Sequence, residues 1–568
     1  MKHLFFLFVV IANMQFAIAQ SKSLAAELAS TAMNTLWKGS VGADTAKPNK
    51  WTYDQSLVLL GIEHLWIQTA NPEYFSFLQK SLNFYKAQGY DIDNVLCGRI
   101  LLTLYNVTGQ VEYYKAASLL RDQLNGQLRR KESGLYMGQP FYTTYAKQFH
   151  EPEAFDDIAN QFIWMEKHAS DAKSSVAGCY EMSIVDVLEN FPATHPKRDT
   201  LVAILKRLAD AIKKVQDPAT GLWYNILNLP KEKGNYLEAS ASAMFVCATA
   251  KAVRLGLLPA SYLAVSKKGY AGIVKHFIKK DEKGHINIQG AISVDSKEVG
   301  AFIQAANEME WYSSPKLGKQ QIFLLDDYYN AEKKKDIKGV EYAYHYKWPE
   351  MYNNGFSFLG NVITSNGLQT RTLSEAPTTN NLKNASIYMI VDADNIADNP
   401  TPNYMNDKDA LEIFNWVKAG GVLVLFHNDK PNADFTAINK LSDLFGIHFN
   451  EDTYNKVVGT DYMGGQIDVP VGNQILKNVQ TIYQKEVCSI TVKAPATTML
   501  TKGDLVVFAT AKIGKGSVFA TGDPWLYNEY TDGRKLPVMY QNAQAADDLV
   551  KWLIKKMPAN AYYGWKDK

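Results

Sequence analysis

Residues 216–245 read QDPATGLWYNILNLPKEKGNYLEASASAMF, and this stretch sets the pattern for the first half of the chain. A polar turn leads to Trp223 and Tyr224, and a second polar turn leads into an apolar helix. Glu238 lies in the first turn of that helix, where the helix dipole favours a carboxylate. The small residues at 239–243 let another backbone or a ligand approach closely. Aromatic rings beside a carboxylate suit a sugar ring, and a well-packed helix turn explains the same residues equally well.

Helical patterns continue on both sides of this stretch, from residue 21 to residue 311. Short polar or Gly-containing turns separate about twelve segments of ordinary helix length. Consecutive helical hairpins can close into a double ring of six inner and six outer helices, or stay open as a bundle or solenoid. The predicted helices begin near Leu24, Tyr53, Glu73, Asp93, Val111, Phe141, Glu153, Val176, Pro196, Leu237, Ser261 and Glu298.

The pattern changes after residues 312–318, which contain two serines, a proline and a glycine and are typical of a linker. Short β-branched and aromatic runs then alternate with helical stretches. Alternating strands and helices with buried strands predict an open α/β domain with a mostly parallel sheet. The predicted strands are Ile322 to Leu325, Ile387 to Val391, Val422 to Phe426, Leu505 to Ala509 and Val518 to Thr521.

The composition supports a multidomain globular protein. A chain of 568 residues exceeds one ordinary core. A net charge of +2 with 21% charged residues argues against nucleic-acid binding and against disorder. Residues 1–19 have the basic start, apolar core and small-x-small end of an export signal, and no later stretch is apolar enough to span a bilayer. We therefore expect a soluble periplasmic or secreted protein.

The cysteines and histidines indicate no metal site and no cofactor. The four cysteines lie far apart and match no metal or disulfide spacing, so we expect buried free thiols. The ten histidines form no HExxH motif and no histidine-rich tract.

The helical half also carries a colinear set of segments: WTYDQSLVLLGIE, DIDNVLCGRILLTLYNVTG, SGLYMGQPFYTTYAKQF, FDDIANQFIWMEKHASD, MSIVDVLENFPATHPKR, QDPATGLWY with NYLEASASAMF, and VGAFIQAANEME. In these segments the chain resembles the unsaturated rhamnogalacturonyl hydrolases and the related unsaturated glucuronyl hydrolases. The resemblance covers nearly all of residues 24–311. It implies an all-α (α/α)6 barrel over residues 20–312.

The resemblance implies a glycoside hydrolase that acts on oligosaccharides ending in a 4,5-unsaturated uronic acid, which a polysaccharide lyase leaves behind. In that family an acid protonates C4, water adds at C5, and the resulting hemiketal opens to release the rest of the sugar chain. The step needs a carboxyl group that can give and take a proton.

The resemblance assigns that catalytic role to Asp93, at the head of a helix, where an aspartate can also serve as an N-cap. A second family aspartate stands immediately before Gly-Leu-Tyr-Met, and here that position is Ser133. A serine hydroxyl is not a useful general acid near neutral pH. The neighbouring Glu132 carries a carboxylate, but its place one residue earlier would point the side chain in a different direction.

Several turns at the expected substrate end are also shorter than in the family, whereas the helices keep their pattern. Two functions therefore compete: an active hydrolase, or a relative with impaired catalysis that binds oligosaccharide or serves as a scaffold. In either case the ligand is an oligosaccharide. The expected substrate-binding residues, for which packing of the inner ring is the alternative role, are Trp51, Tyr53, Tyr136, Met137, Trp223 and Glu238.

Residues 319–568 resemble the glutamine-amidotransferase-like α/β domains that are appended to some of these hydrolases. The nucleophilic cysteine of an amidotransferase is missing, because Cys488 lies in no Gly-x-Cys-x-Gly turn. Residues 514–516 predict a hairpin turn. The polar and aromatic stretch 522–534 follows a predicted strand. It predicts a loop that packs on the helical domain, with a sugar contact as the alternative.

Overall fold

The computed structural model describes residues 23–35, 53–85, 92–124, 132–168, 173–282, 286–288 and 297–558. Within them the chain is helical as far as Ser313 and forms a sheet domain from Ile322 onward. The predicted succession of a helical part and a sheet part is therefore confirmed. The expected export signal lies outside the described residues. No helix in the described ranges has both the length and the apolar character needed to cross a membrane.

Twelve helices longer than ten residues make up the described helical part. Short 3-10 turns lead into the fourth and the eleventh, and a small hairpin precedes the twelfth. The helices are α1 (Leu24–Thr35), α2 (Tyr53–Thr69), α3 (Pro72–Tyr85), α4 (Gly98–Thr108, after the turn Ile92–Cys97), α5 (Val111–Gln123), α6 (Glu132–Gln148), α7 (Glu153–His168), α8 (Ser174–Asn190), α9 (Arg198–Lys214), α10 (Ala239–Arg254), α11 (Leu263–His276, after Ala260–Tyr262) and α12 (Lys297–Ser313, after Ile278–Lys280 paired with Ile286–Ile288).

The sequence pattern locates most of these starts within a few residues. The main difference is α6, which begins at Glu132 rather than near Phe141 and runs through Pro140. A proline lacks an N–H and normally disfavours the interior of a helix, so the first turns of α6 are hard to recognise from sequence.

The even-numbered helices pack against one another in chain order, and α12 also packs against α2. The odd-numbered helices pack against these even-numbered helices: α5, α7 and α9 each against one of them, and α1, α3 and α11 each against two. The helices α2 and α12 approach each other closely, since a Cβ atom on Gly300 would come within 2.6 Å of the Leu57 backbone. The helix α10 is buried from Ser240 to Ala252, because its small residues admit neighbours on every side.

A buried charge cluster connects three of the even-numbered helices. The carboxylate of Asp186 in α8 lies 2.6 Å from the ammonium of Lys251 in α10 and 2.5 Å from the guanidinium of Arg99 in α4. Lys251 also contacts Glu189, at 2.8 Å. Burial opposes the ionisation of Asp186, but Arg99 and Lys251 hold its pKa well below the usual range.

The sheet domain is built on seven strands in the spatial order β5-β6-β7-β4-β3-β1-β2. The five strands from β7 to β2 are parallel, and β5 and β6 are antiparallel additions at one edge. Both faces of the sheet are covered by apolar clusters. The strands are β1 (Ile322–Asp326), β2 (Gln369–Leu373), β3 (Ala385–Val391), β4 (Val422–Phe426), β5 (Ala496–Lys502), β6 (Leu505–Ile513) and β7 (Gly516–Thr521).

The sequence pattern finds five of these strands and misses the edge strands β2 and β5. Their sequences, QTRTL and ATTMLTK, are polar and partly exposed, as expected at an edge. The predicted turn between β6 and β7 is present, with Gly514 at a φ of +56°.

Shorter elements surround this sheet. The helices of the sheet domain are Ser357–Ser365, Thr379–Leu382, Asp407–Ala419, Phe435–Ser442, Asn528–Thr531 and Asn542–Lys556, with 3-10 turns at Asp443–Phe445 and Tyr462–Gly465. The small antiparallel pairs are Lys333–Lys335 with Glu341–Ala343, Ile447–Phe449 with Ile490–Val492, and Gln466–Asp468 with Thr481–Tyr483.

The sheet domain contacts the ends at which α2, α4 and α6 finish. The indole N–H of Trp66 in α2 donates to the Asp532 carbonyl at 2.8 Å. Arg534 donates to the Val107 carbonyl in α4 at 2.9 Å. Lys338 lies 2.9 Å from the Glu151 carboxylate, just beyond α6. The stretch 522–534 therefore packs on the helical domain, as the sequence predicts.

We expect Asp186→Asn to lower the free energy of unfolding of the helical domain by about 3–5 kcal/mol, since it leaves Lys251 and Arg99 buried with less compensating charge. Urea denaturation followed by far-ultraviolet circular dichroism measures this loss. The control is Asp156→Asn, which removes an exposed pair with Lys197 and should change the stability little. Equal losses in the two variants would contradict the role of the cluster.

Candidate functional site

The predicted site residues that the structure describes, apart from Trp223, lie at the ends at which even-numbered helices begin, which we call the mouth. Those helices run in the same direction, because Leu57 near the start of α2 meets Gly300 near the start of α12, and Gly178 of α8 meets Met244 of α10. A helix of 17 residues is about 25 Å long. The mouth therefore lies about that distance from the contact between the domains.

Three of the seven predicted site residues are described only in their backbone, and a fourth is not described. The backbone of Asp93 lies in the 3-10 turn before α4, and the backbones of Tyr136 and Met137 lie in the first turns of α6. Their side chains lie outside what the structure describes, as does all of Trp51. Their assignment to the site stays a prediction.

The six even-numbered helices form a closed ring, and Tyr53 reaches into this ring below the mouth. Its hydroxyl lies 3.2 Å from the sulfur of Cys179, and that sulfur lies 3.9 Å from the sulfur of Met244. Tyr53 begins α2 and Cys179 belongs to α8, which stand opposite each other in the order of the ring. Side chains therefore cross the ring at this level, and a ligand at the mouth would lie on the outer side of this contact.

Trp223 packs inside the helical domain. It is fully buried, and its indole N–H donates to the Ile212 carbonyl at 2.8 Å. Its ring lies against Phe245 and close to Gly269, where a Cβ atom would come within 3.0 Å of the ring. Trp223 thus takes the packing role that the sequence left as an alternative, and a sugar has no exposed ring face to contact.

Glu238 is the N-cap of α10 rather than a residue of its first turn. Its carboxylate accepts hydrogen bonds from the Ala241 N–H and, at 2.6 Å, from the Ser240 hydroxyl. An N-cap acceptor of this kind satisfies a backbone N–H that the helix leaves unpaired. Both oxygens of this buried carboxylate therefore support the start of α10.

Glu181 is a buried acid that the sequence reasoning missed. It lies two residues beyond Cys179 in α8 and is fully buried. One carboxyl oxygen accepts a hydrogen bond from the Thr249 hydroxyl at 3.0 Å, and the other oxygen accepts none from the part of the chain that the structure describes. Burial raises the pKa of Glu181 to about 8, although the bond from Thr249 opposes the rise. The side chain is therefore a neutral acid at pH 7.

The sequence carried one signal for this residue. Glu181 lies three and four positions before Ile184 and Val185, on the face of α8 that carries the apolar spacing. An acid on an apolar helix face predicts burial with a shifted pKa.

Because the pKa of Glu181 is higher in the folded state than in the unfolded state, we expect the helical domain to become less stable as the pH rises. The folded state keeps this proton up to about pH 8, whereas the unfolded state loses it above about 4.3, so the stability falls between those values by up to about 1.4 kcal/mol per pH unit. Glu181→Gln should remove this contribution. The measurement is the difference in unfolding free energy between variant and wild type at pH 5, 6 and 7. A difference that does not change with pH would contradict the shifted pKa.

Comparison with known proteins gives several similarities. Protein Atu3128 of Agrobacterium fabrum is 26% identical to this chain over 189 residues, which cover 28% of this chain and 80% of that protein. A family 105 glycoside hydrolase of C. acetobutylicum is 29% identical, with a TM-score of 0.46 over 51% of this chain and 99% of that one. An unsaturated glucuronyl hydrolase of Bacillus sp. GL1, responsible for the degradation of glycosaminoglycan, is 13% identical, with a TM-score of 0.39 over 50% of this chain and 94% of that one.

The family comparison covers the whole helical part. The model of Glycosyl Hydrolase Family 88 matches residues 25–180 and 175–315, which together make up just over half of the chain. These residues include all twelve helices from α1 to α12 and both partners of the Tyr53–Cys179 contact. The chain therefore belongs to Glycosyl Hydrolase Family 88.

Proposed function

We propose that this protein is a glycoside hydrolase that hydrates the 4,5-unsaturated uronic acid at the end of oligosaccharides made by a polysaccharide lyase. The main support for this proposal is the match between the model of Glycosyl Hydrolase Family 88 and the helical half of the chain. The closed series of contacts among the even-numbered helices, with the odd-numbered helices packed against them, supports the (α/α)6 barrel that the family resemblance implies.

In this proposal the carboxyl group of Asp93 protonates C4 of the unsaturated sugar, and the resulting carboxylate takes a proton from the water that adds at C5. The opening of the hemiketal releases the rest of the oligosaccharide. The sugar lies on the outer side of the Tyr53–Cys179 contact, beside the starts of α4 and α6. Trp51, Tyr136 and Met137 line the sugar-binding site, whereas Trp223 and Glu238 support the start of α10 through the backbone N–H of Trp223 and the carboxylate of Glu238.

A specific observation favours a second candidate, a relative that binds oligosaccharide without turning it over. Ser133 occupies the position at which the family resemblance expects a second aspartate. A hydroxyl group cannot replace a carboxylate as general acid or base near neutral pH. The mouth would then hold a uronic oligosaccharide without the second proton-transfer group.

We also propose export of the chain to the periplasm or the medium. The predicted export signal supports this proposal, and cell fractionation tests it.

The sheet domain in this proposal has no thiol chemistry, because Cys488 is buried and burial raises the pKa of its thiol well above the usual range.

We expect the purified protein to remove the ultraviolet absorbance of unsaturated uronic oligosaccharides, because hydration destroys the double bond. Asp93→Asn should lower kcat by at least about 100-fold with an unchanged circular dichroism spectrum. Asp156→Asn, on the outer helix α7, is the matched control and should keep full activity. An active Asp93→Asn variant would show that another group supplies the proton.

The same oligosaccharides separate the two candidates. If wild type shows no loss of absorbance but releases heat on binding in calorimetry, the binding role holds, and Ser133→Asp should then produce measurable turnover. Absence of both turnover and heat would overturn both candidates.

A further inference from the structure

A second polar cluster lies in the sheet domain, at the end where the parallel strands β1 and β3 finish. From β1 the chain continues outward to β2, and from β3 it continues in the opposite direction to β4. In open α/β sheets, ligands bind beyond the carboxyl ends of two such strands, where the connections diverge.

Three side chains meet there. Glu332 and His345 come from the segment after β1, and Asp392 directly follows β3. The Nδ1 atom of His345 lies 2.5 Å from Oε1 of Glu332 and 3.7 Å from Oδ2 of Asp392. One donor atom from each residue lies within 4.8 Å of the other two. Glu332 and His345 are partly exposed, so a solvated ion can reach the cluster.

Asp392 gives a separate indication of a ligand. Its side chain is 5% exposed, and its buried Oδ1 atom accepts no hydrogen bond from the described residues. A buried carboxylate oxygen without a partner costs free energy, which an ion or a ligand can offset. Asp392 also has a φ of +47° and His345 a φ of +67°, values that residues other than glycine adopt at a free-energy cost.

Lys347, two residues after His345, is paired with other groups rather than with this cluster. The ammonium of Lys347 is buried and lies 2.6 Å from the Asp327 carboxylate, and it donates to the carbonyl and side-chain oxygens of Asn330 at 2.5 and 2.9 Å. Its three donors are therefore engaged. The imidazole of His345 is stacked on Tyr346 with ring centroids 4.0 Å apart, which orients it.

One imidazole nitrogen with two carboxylate oxygens is a donor set for a divalent first-row transition metal, since imidazole favours such ions over Mg²⁺ and Ca²⁺. Metal–ligand bonds of about 2.0–2.2 Å place neighbouring donors roughly 3 Å or slightly more apart. The observed separations of 2.5 and 3.7 Å lie on either side of that value, and the shorter one is a hydrogen bond between Nδ1 and Oε1 whose proton an ion would replace. A small adjustment of side chains would therefore admit an ion.

We propose that Glu332, His345 and Asp392 bind a divalent transition-metal ion, of the kind represented by Zn²⁺ or Mn²⁺, at the carboxyl ends of β1 and β3. Glu332 and His345 flank the hairpin of Lys333–Lys335 and Glu341–Ala343, whose turn carries Lys338 to the helical domain. The ion therefore joins both ends of this hairpin to the sheet. This role is structural and independent of the sugar chemistry at the mouth.

The experiment uses the full-length chain after treatment with a chelator and dialysis. We expect titration calorimetry and elemental analysis to give one Zn²⁺ or Mn²⁺ per chain, and hydrogen exchange of residues 333–343 to slow when the ion binds. His345→Ala should weaken binding by more than about 100-fold, the upper end of the loss seen for residues that merely orient metal ligands. Glu332→Gln should also weaken binding and keeps the shape of the side chain.

The matched control is His448→Ala. His448 lies 2.8 Å from the Asp443 carboxylate on the exposed surface of the same domain, so it tests whether any histidine–carboxylate pair suffices. This variant should bind the ion as the wild type does. No binding at millimolar metal, or equal binding by wild type, Glu332→Gln and His345→Ala, would overturn the proposal.

Discussion

Lys251 is a buried cation on which the packing of the inner helices depends. It extends from α10 to Asp186 and Glu189 of α8, while Arg99 of α4 approaches Asp186 from the other side. Charges without contact with water are tolerated when their partners are held in position. The cluster therefore fixes the relative positions of α4, α8 and α10. The apolar contacts around it specify those positions less strictly, because apolar side chains can repack in more than one arrangement.

The same helices show why local sequence predicts some roles and not others. Apolar spacing locates α2, α8 and α10 because a helix that is buried on one or more sides repeats its apolar residues at a fixed interval. That spacing does not distinguish a residue at the mouth from one in the core. Trp223 follows a polar turn, as a sugar-binding residue could, and nevertheless lies in the core with its N–H bonded to Ile212.

The groups missed by sequence reasoning depend on contacts between distant segments. Glu181 is neutral because residues of other helices exclude water from it. Glu332, His345 and Asp392 share no motif. The small hairpin after β1 brings Glu332 to His345, and the order of the strands brings Asp392 to both. Asp93 and Ser133 could be compared with a family pattern by sequence, but the arrangement of their side chains at the mouth cannot be read from that pattern.

The sheet domain attaches where α2, α4 and α6 end, through Asp532, Arg534 and Lys338. The turns that lead into the even-numbered helices make none of these three contacts. Insertions and deletions in those turns can therefore accumulate during evolution without disturbing the association of the two domains. A family member with this architecture can change its preferred sugar, or lose turnover altogether, while the assembled molecule persists.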